Sequence, residues 1–321
     1  MMSRAFGEVI LKVCPAKSPI ESIACTADSQ KLIVGQVATN EATPTLSIVD
    51  INTGNIDQII ERSDDFDHSI WRLTIDKKDN YIVYLKQKKS NYQIIKYHIK
   101  TEEKNMIMEV ENDDKYKGFV ISPQSQLVIG LENTISFFDL QNNEVVKEIQ
   151  IEESKSIWDP ECYTSLAFSP DGNVMAIGGL NQGEVLLYDL QKEKVIDHLK
   201  AKFNYPSKIV FDPTGKYLFI LDYWAKGMFI WNLQANHWHM ENIFGEKFCY
   251  ITCIDFDKKN PQNVVMGSLY SEVEMLDFER NEDLFNDKVH EARVYDVFFT
   301  PNGKKLISSG EDWHIIIRNA E

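Results

Sequence analysis

The sequence predicts an all-β fold, a seven-bladed β-propeller of four-stranded antiparallel blades. Two observations predict it. A turn signal, seen in full as Ser-Pro-Asp-Gly at residues 169–172, recurs in seven variants that lie 43 to 50 residues apart. Between these turns, apolar and polar residues alternate as they do in half-buried strands. A repeat of about 40 to 45 residues with four strands is the signature of a propeller blade.

The clearest copy of the repeat spans residues 163–199, where three alternating strand patterns and a weaker fourth are separated by turn signals. The other copies have diverged but keep the turn in place. Its third position is occupied in chain order by Asp28, Lys78, Gln124, Asp171, Thr214, Lys259 and Asn302. A single blade is apolar on both faces, so neighbouring blades must cover each other. We therefore expect inner-strand pairs to pack between blades, namely Leu166 with Phe168, Ile209 with Phe211, Ile254 with Phe256, and Val297 with Phe299.

The seventh copy has room for only three strands, because its last strand pattern is residues 314–319. A strand-like segment at residues 8–13 has no blade of its own. We predict that this segment pairs with residues 315–317 and closes the ring, which would cover an open strand edge. On this interpretation residues 1–321 form a single propeller domain.

Most copies end their third strand with a bulky residue followed by a polar one. These pairs are Val49-Asp50, Tyr97-His98, Phe138-Asp139, Tyr188-Asp189, Trp231-Asn232, Leu276-Asp277 and Arg318-Asn319. In this feature and in the register of its seven copies, nearly the whole chain resembles the WD-repeat (WD40) family of β-propellers. It is a divergent resemblance, since no copy ends in Trp-Asp itself and Trp231-Asn232 comes nearest.

The resemblance also implies a structural network in the last copy. Blades of the family commonly hold a buried hydrogen-bond network of a His, a Ser or Thr, an Asp and a Trp. By resemblance the first three are His290, Ser308 and Asp312. Arg318 stands where the Trp would be, so the network is either incomplete or rebuilt as an ion pair between Arg318 and Asp312.

The amino-acid composition limits the classes of function that this protein can have. The chain has 321 residues, of which 43% are hydrophobic, and a formal net charge of -15. This charge argues against direct nucleic-acid binding and favours a basic partner. The five cysteines are scattered and never spaced C-x-x-C, so neither a disulfide frame nor a zinc knuckle is indicated. With no signal-peptide pattern and no long apolar run, we expect no membrane insertion and an intracellular protein, cytoplasmic or nuclear.

Two patterns could carry chemistry. Ser308, Asp312 and His314 lie close in sequence and could be taken for a Ser-His-Asp set, but no G-x-S-x-G elbow is present. His237 and His239 fall on one face of a strand and could share a metal, but no third ligand is near them in sequence. We therefore predict no catalytic residue, no metal and no cofactor, and a propeller hydrolase is the least favoured function.

The loops predict a partner-binding surface. In a propeller, the loops between blades and those between second and third strands share one rim, here called the top face. Three consecutive top loops, residues 61–67, 109–115 and 152–161, each carry a net charge of -3. Aromatic side chains in loops are typical interface anchors, and acidic neighbours steer a basic partner. The predicted partner-binding residues are Asp64, Asp65, Phe66, Asp67, Trp158, Glu161, Tyr163, Phe203, Tyr223, Trp224, Tyr270 and Trp313.

These observations favour a non-enzymatic protein–protein interaction scaffold. We expect it to act as one monomeric chain within a larger multiprotein complex and to bind a basic segment of another protein over its top face. The alternative is a reader of basic peptide tails or of ubiquitin through the same face. Salt dependence separates the two, because steering of a basic tail weakens with ionic strength whereas an aromatic anchor changes little.

Overall fold

The computed structural model describes residues 8–39, 42–63, 68–88, 91–111, 116–131, 134–151, 165–178, 183–200, 206–222, 227–240 and 250–320. Within these ranges every regular element is a β-strand, and the strands form seven four-stranded antiparallel sheets. The predicted fold class, a seven-bladed β-propeller, is thereby confirmed.

The strands follow the chain blade by blade, with one strand ahead of the first blade. That strand is β1 (Val9–Val13). Blade 1 has β2 (Ile20–Cys25), β3 (Lys31–Gln36), β4 (Pro44–Asp50) and β5 (Ile56–Arg62), and blade 2 has β6 (Ile70–Ile75), β7 (Tyr81–Lys88), β8 (Asn91–His98) and β9 (Lys104–Glu111). Blade 3 has β10 (Tyr116–Ile121), β11 (Gln126–Leu131), β12 (Thr134–Asp139) and β13 (Val145–Gln150), and blade 4 has β14 (Leu166–Phe168), β15 (Val174–Gly178), β16 (Glu184–Asp189) and β17 (Lys194–Lys200). Blade 5 has β18 (Pro206–Phe211), β19 (Tyr217–Asp222), β20 (Gly227–Asn232) and β21 (His237–Met240), and blade 6 has β22 (Ile251–Phe256), β23 (Asn263–Ser268), β24 (Glu272–Asp277) and β25 (Glu282–Lys288). Blade 7 has β26 (Val294–Phe299), β27 (Lys305–Gly310) and β28 (Ile315–Asn319).

The chain divides into two compact units. The first consists of Met1–Glu111 with Thr252–Glu321 and holds blades 1, 2, 6 and 7, whereas the second, Asn112–Ile251, holds blades 3 to 5. That residues 1–321 behave as a single domain stays a prediction.

Side chains in the recurring turn explain why it survives as a sequence signal. In blade 4 the Ser169 hydroxyl donates to the Asp171 carboxylate at 2.6 Å, and Gly172 has a positive φ of 73° that glycine adopts without strain. In blade 7 the Thr300 hydroxyl makes the equivalent bond to the Asn302 side chain at 2.8 Å. The first turn position therefore selects for a short polar side chain.

The core lies between neighbouring blades within each unit. In the first unit, Val297 and Phe299 of β26 pack in one cluster with Val265 of β23. In the second, Ile209 and Phe211 of β18 pack in a cluster with residues of blade 4. Each fully buried side chain of this kind stabilises the fold by about 1.5–3 kcal/mol. For β18 and β26, the inner strands thus pack as the sequence predicts.

Strand β1 completes the last blade. It pairs antiparallel with β28, with Val13 opposite Ile315 and Leu11 opposite Ile317. The sheet order is β1-β28-β27-β26, so β1 is the outer strand of blade 7. The predicted pairing between residues 8–13 and the C-terminal blade is confirmed. Within the described residues, nothing forms a helix long and apolar enough to span a membrane.

Candidate interaction surface

Two of the residues predicted to bind a partner, Tyr270 and Trp313, belong to the described part of the chain. The others lie outside the described residues: Asp64, Asp65, Phe66, Asp67, Trp158, Glu161, Tyr163, Phe203, Tyr223 and Trp224. Their placement on a common face therefore stays a prediction.

Tyr270 and Trp313 lie on neighbouring hairpins of the first unit. Tyr270 lies between β23 and β24 and is 54% exposed, whereas Trp313 lies between β27 and β28 and is 43% exposed. The backbone N–H of His290, which precedes blade 7, donates to the Ser271 carbonyl at 3.3 Å and connects the two regions. Leu269 adds a further exposed apolar side chain. We call the three exposed side chains of these hairpins, Leu269, Tyr270 and Trp313, the aromatic patch, because exposed aromatic side chains are typical interface anchors.

Trp313 has an unusual backbone conformation. Its φ is 71°, in the left-handed region that costs residues other than glycine about 1 kcal/mol or more. Its N–H donates to the Gly310 carbonyl at 3.2 Å, and the Gly310 N–H donates to the His314 carbonyl at 3.2 Å, so the hairpin imposes this conformation. Glycine or asparagine would fit the turn better. The turn geometry therefore does not explain why a tryptophan stands there.

His290, Ser308 and Asp312 form a hydrogen-bond network next to the aromatic patch. His290 Nδ1 lies 2.9 Å from Asp312 Oδ1, and His290 Nε2 lies 2.9 Å from Ser308 Oγ. Burial acts to raise the pKa of Asp312, but the His290 ring and the Glu291 and His314 N–H groups outweigh it and lower the pKa to about 2. Because an ionised carboxylate can only accept, Nδ1 donates to Asp312.

This geometry matches the atom order of a Ser-His-Asp catalytic set, with His290 rather than His314 at the centre. However, Ser308 is only 4% exposed and His290 only 2% exposed, so a substrate carbonyl has no access to the Ser308 hydroxyl. His314 Nδ1 lies 3.6 Å from Asp312 Oδ2 on the outer side of the network. The arrangement can fix one end of blade 7, and it cannot present a nucleophile.

Glu21 and its neighbours form a second polar site that sequence reasoning missed. Glu21 of β2 accepts a hydrogen bond from the Tyr295 hydroxyl, and the Arg293 guanidinium lies over the Tyr295 ring at 4.9 Å. Burial raises the pKa of Glu21 to about 7, against the opposing effects of Arg293 and Tyr295. Glu21 and Tyr295 occupy equivalent positions of the inner strands β2 and β26.

Replacing Glu21 should stabilise the protein in a pH-dependent way. The folded-state pKa lies above the usual value, so ionisation of Glu21 removes stability as pH rises from about 4.5 to about 7. Glu21→Gln cannot ionise and should gain on the order of 2 kcal/mol over the parent at pH 8, with little gain at pH 4. Denaturant unfolding at both pH values measures this. Glu311→Gln, on an exposed side chain nearby, is the control, and an equal gain at pH 4 and pH 8 would contradict the prediction.

The metal hypothesis finds no support in the described part of the chain, where no three His, Cys, Asp or Glu side chains gather to hold a metal. His237 pairs across from Asn232 on β20. The His239 ring packs against the Tyr217 ring, with the ring centroids 5.0 Å apart. Aromatic packing accounts for one of the two imidazoles.

Comparison with known proteins addresses the family directly. A model described as "WD domain, G-beta repeat" matches residues 283–319, which cover β25, the outer strand of blade 6, and strands β26 to β28 of blade 7, and include the His290 network. Residues 283–319 therefore match one WD repeat. It is also 22% identical over 212 residues to the Periodic tryptophan protein 2 homolog of Dictyostelium discoideum. That alignment covers 59% of this chain and 22% of the relative, so the chain spans about a fifth of the relative's length.

The WD repeat of blade 7 departs from the family pattern at Arg318. The Arg318 guanidinium is bonded to the Asp287 carboxylate of β25 and lies over the Phe285 ring at 5.4 Å. The hypothesis of an ion pair between Arg318 and Asp312 is therefore wrong. Arg318 instead ties the third strand of blade 7 to the outer strand of blade 6, and the His290 network has no fourth member at this position.

One of the predicted acidic loops carries less free charge than its sequence suggests. Glu61 accepts a hydrogen bond from the Tyr84 hydroxyl at 2.7 Å and pairs with Lys86 at 3.0 Å and Lys104 at 2.8 Å. Burial acts to raise the pKa of Glu61, but these three partners outweigh it and lower the pKa. The prediction that Glu61 adds negative charge to the top face is therefore wrong, because Lys86 and Lys104 of blade 2 neutralise its carboxylate.

Proposed function

We propose that the chain is a non-enzymatic protein–protein interaction scaffold that binds a basic segment of a partner over its top face, with the aromatic patch as one anchor. WD-repeat propellers are typical platforms for protein interaction. We place the chain in the cytoplasm or nucleus, as one monomeric subunit of a larger assembly. The absence of an enzymatic activity belongs to this proposal and rests on the burial of Ser308, the best-placed nucleophile of the described residues.

The observation that carries the proposal is the combination of exposure and strain at Trp313. A large apolar side chain that stays 43% exposed gains only part of the stabilisation that full burial would give, and its φ of 71° adds a conformational cost. The conformational cost would vanish with a glycine. A large aromatic residue that is held exposed in a strained conformation is best explained by what it binds, and tryptophan is the side chain most enriched at binding hot spots.

Trp313→Gly should separate binding from folding. We expect the melting temperature to stay the same or rise, because glycine relieves the left-handed strain at a gain of up to about 1 kcal/mol. Binding of the partner that uses the patch should weaken by about 2 kcal/mol or more, roughly 30-fold. Affinity purification of both chains from cells, with quantitative mass spectrometry, identifies the partners that are lost.

Asn281→Gly is the matched control, since Asn281 also has a positive φ, of 55°, but lies in the hairpin between β24 and β25. It should leave every partner in place. Full retention of all partners by a folded Trp313→Gly variant would refute the role of the patch. A fall in its melting temperature would instead show that Trp313 serves the fold.

The alternative, a reader of basic tails or ubiquitin, draws its support from the net charge of -15. Purification at low and high salt separates it from an aromatic-anchored scaffold. A basic tail held by long-range attraction should be released by high salt, whereas a partner seated on the aromatic patch should remain bound.

A further inference from the structure

The inner strands of blades 7, 1 and 2 align three residues in one row. The Asp296 carboxylate of β26 accepts from the Ile23 N–H of β2 at 3.1 Å. The Ser22 hydroxyl of β2 accepts from the Leu73 N–H of β6 at 3.2 Å in the same way. The residues directly before these positions are therefore equivalent, and they are Tyr295, Glu21 and Trp71. We call these three residues the inner row.

The carboxylate at the centre of the row is only partly compensated. Glu21 accepts a hydrogen bond from the Tyr295 hydroxyl, and the positive charge of Arg293 offsets only part of the effect of its burial. The charged groups that act on it are Arg293, Glu311 and Asp296. Arg293 is held over the Tyr295 ring, while the two carboxylates repel a second negative charge. An ionised Glu21 would therefore be stabilised by one added cation.

Trp71 supplies a surface on which such a cation could rest. It is 41% exposed although it belongs to an inner strand. Its indole N–H donates to the Gln87 side chain at 2.7 Å, which fixes the orientation of the ring. Tryptophan is the best aromatic partner for a cation, and a fixed ring loses little entropy on binding.

We propose that the inner row is a subsite for one cationic side chain of the partner segment, with Glu21 as its counter-charge and Trp71 as its aromatic wall. This inference rests on the proposed interaction function and names the chemistry of the partner. Arginine suits the site better than lysine, because a planar guanidinium can stack on the indole while it bonds to the carboxylate.

Binding at this subsite should depend on pH in a defined direction. The pKa of Glu21 is raised to about 7, so the carboxylate is mostly protonated at pH 6 and mostly ionised at pH 8. A cation binds the ionised form, and its affinity should therefore rise about tenfold from pH 6 to pH 8.

The test uses the full chain labelled with 5-fluorotryptophan, whose six tryptophans give six fluorine signals. The Trp71 signal is assigned with Trp71→Phe. The probes are the N-acetyl methylamides of arginine, of lysine and of citrulline, the uncharged shape analogue of arginine. We expect the Trp71 signal to shift saturably with the arginine probe, less with the lysine probe and not with citrulline, and the affinity to rise with pH as above.

Glu21→Gln should weaken arginine binding about tenfold and remove the pH dependence of this binding. Glu311→Gln makes the same change of charge on an exposed side chain, and it should change the affinity for arginine less than about threefold. No saturable shift up to about 50 mM arginine probe, or equal losses in both variants, would overturn the subsite. Either result leaves the Trp313→Gly experiment intact, so failure of the subsite is distinguishable from failure of the interaction function.

Discussion

Removal of residues 1–13 should destabilise the whole first unit by about 3 kcal/mol or more, because it takes away the outer strand of blade 7. Val13 is 6% exposed and packs in one cluster with Ile315 and Ile317 of β28. Its side chain also reaches the turn after β4, where a Cβ added at Gly54 would lie 2.8 Å from Val13. The deletion would expose this apolar cluster and leave β28 as an unpaired edge.

Thermal unfolding of the deleted chain measures the effect, which we expect to be a fall in melting temperature of roughly 6–12 °C. Point variants give a sharper comparison. Val13→Asp places a charge at a buried position of β1 and should act like the deletion, whereas Val9→Asp, at a position that is 44% exposed, should be nearly neutral. An unchanged melting temperature in the deleted chain would show that β1 does not hold blade 7.

Asp312→Ala should cost about 2–4 kcal/mol of stability. Asp312 accepts from His290 Nδ1 at 2.9 Å and from the Glu291 N–H at 3.0 Å, and the variant leaves both donors without this acceptor. Because the pKa of Asp312 is lowered to about 2, its contribution is present above about pH 4 and is lost as pH falls toward 2. The gap between the parent and the variant should narrow over that range.

Denaturant unfolding between pH 2 and pH 7 follows this gap. Asp312→Asn keeps one acceptor oxygen and should lie between the parent and Asp312→Ala, while Glu311→Ala, at the exposed neighbouring position, should change stability by less than about 0.5 kcal/mol. If Asp312→Ala unfolds like the parent, the network is not structural, and the Ser-His-Asp geometry would need to be tested for activity.

Repetition explains what could be predicted from sequence. Seven turns with one period identify blades even where single motifs are weak, because each blade must present the same two apolar faces to its neighbours. The pairing of β1 with β28 followed from counting strands, since one segment had no blade and one blade lacked a strand. The grouping of His290 with Ser308 and Asp312 was implied by the resemblance to WD-repeat blades.

Contacts between blades could not be predicted in this way. Glu61 looked like a rim charge because its lysine partners are 25 and 43 residues away and reach it only through the sheet of blade 2. One of two hypotheses paired Arg318 with Asp312 within its own blade, yet Arg318 pairs with Asp287 of the preceding blade. The raised pKa of Glu21 could not be predicted from sequence, because it results from burial. That burial depends on how the inner strands of neighbouring blades pack against each other.

The pairing of Val13 with Ile315 also has a consequence for the time course of folding. The two partners are about 300 residues apart, so at 5–20 residues per second the ribosome needs roughly 15–60 s to make the second after the first. During that interval β1 is synthesised and has no partner, while blades 1 to 6 can already form from local hairpins. The last blade is therefore assembled only when β28 leaves the ribosome, and this late, long-range pairing is the step at which a slowed or interrupted synthesis would leave an exposed strand edge.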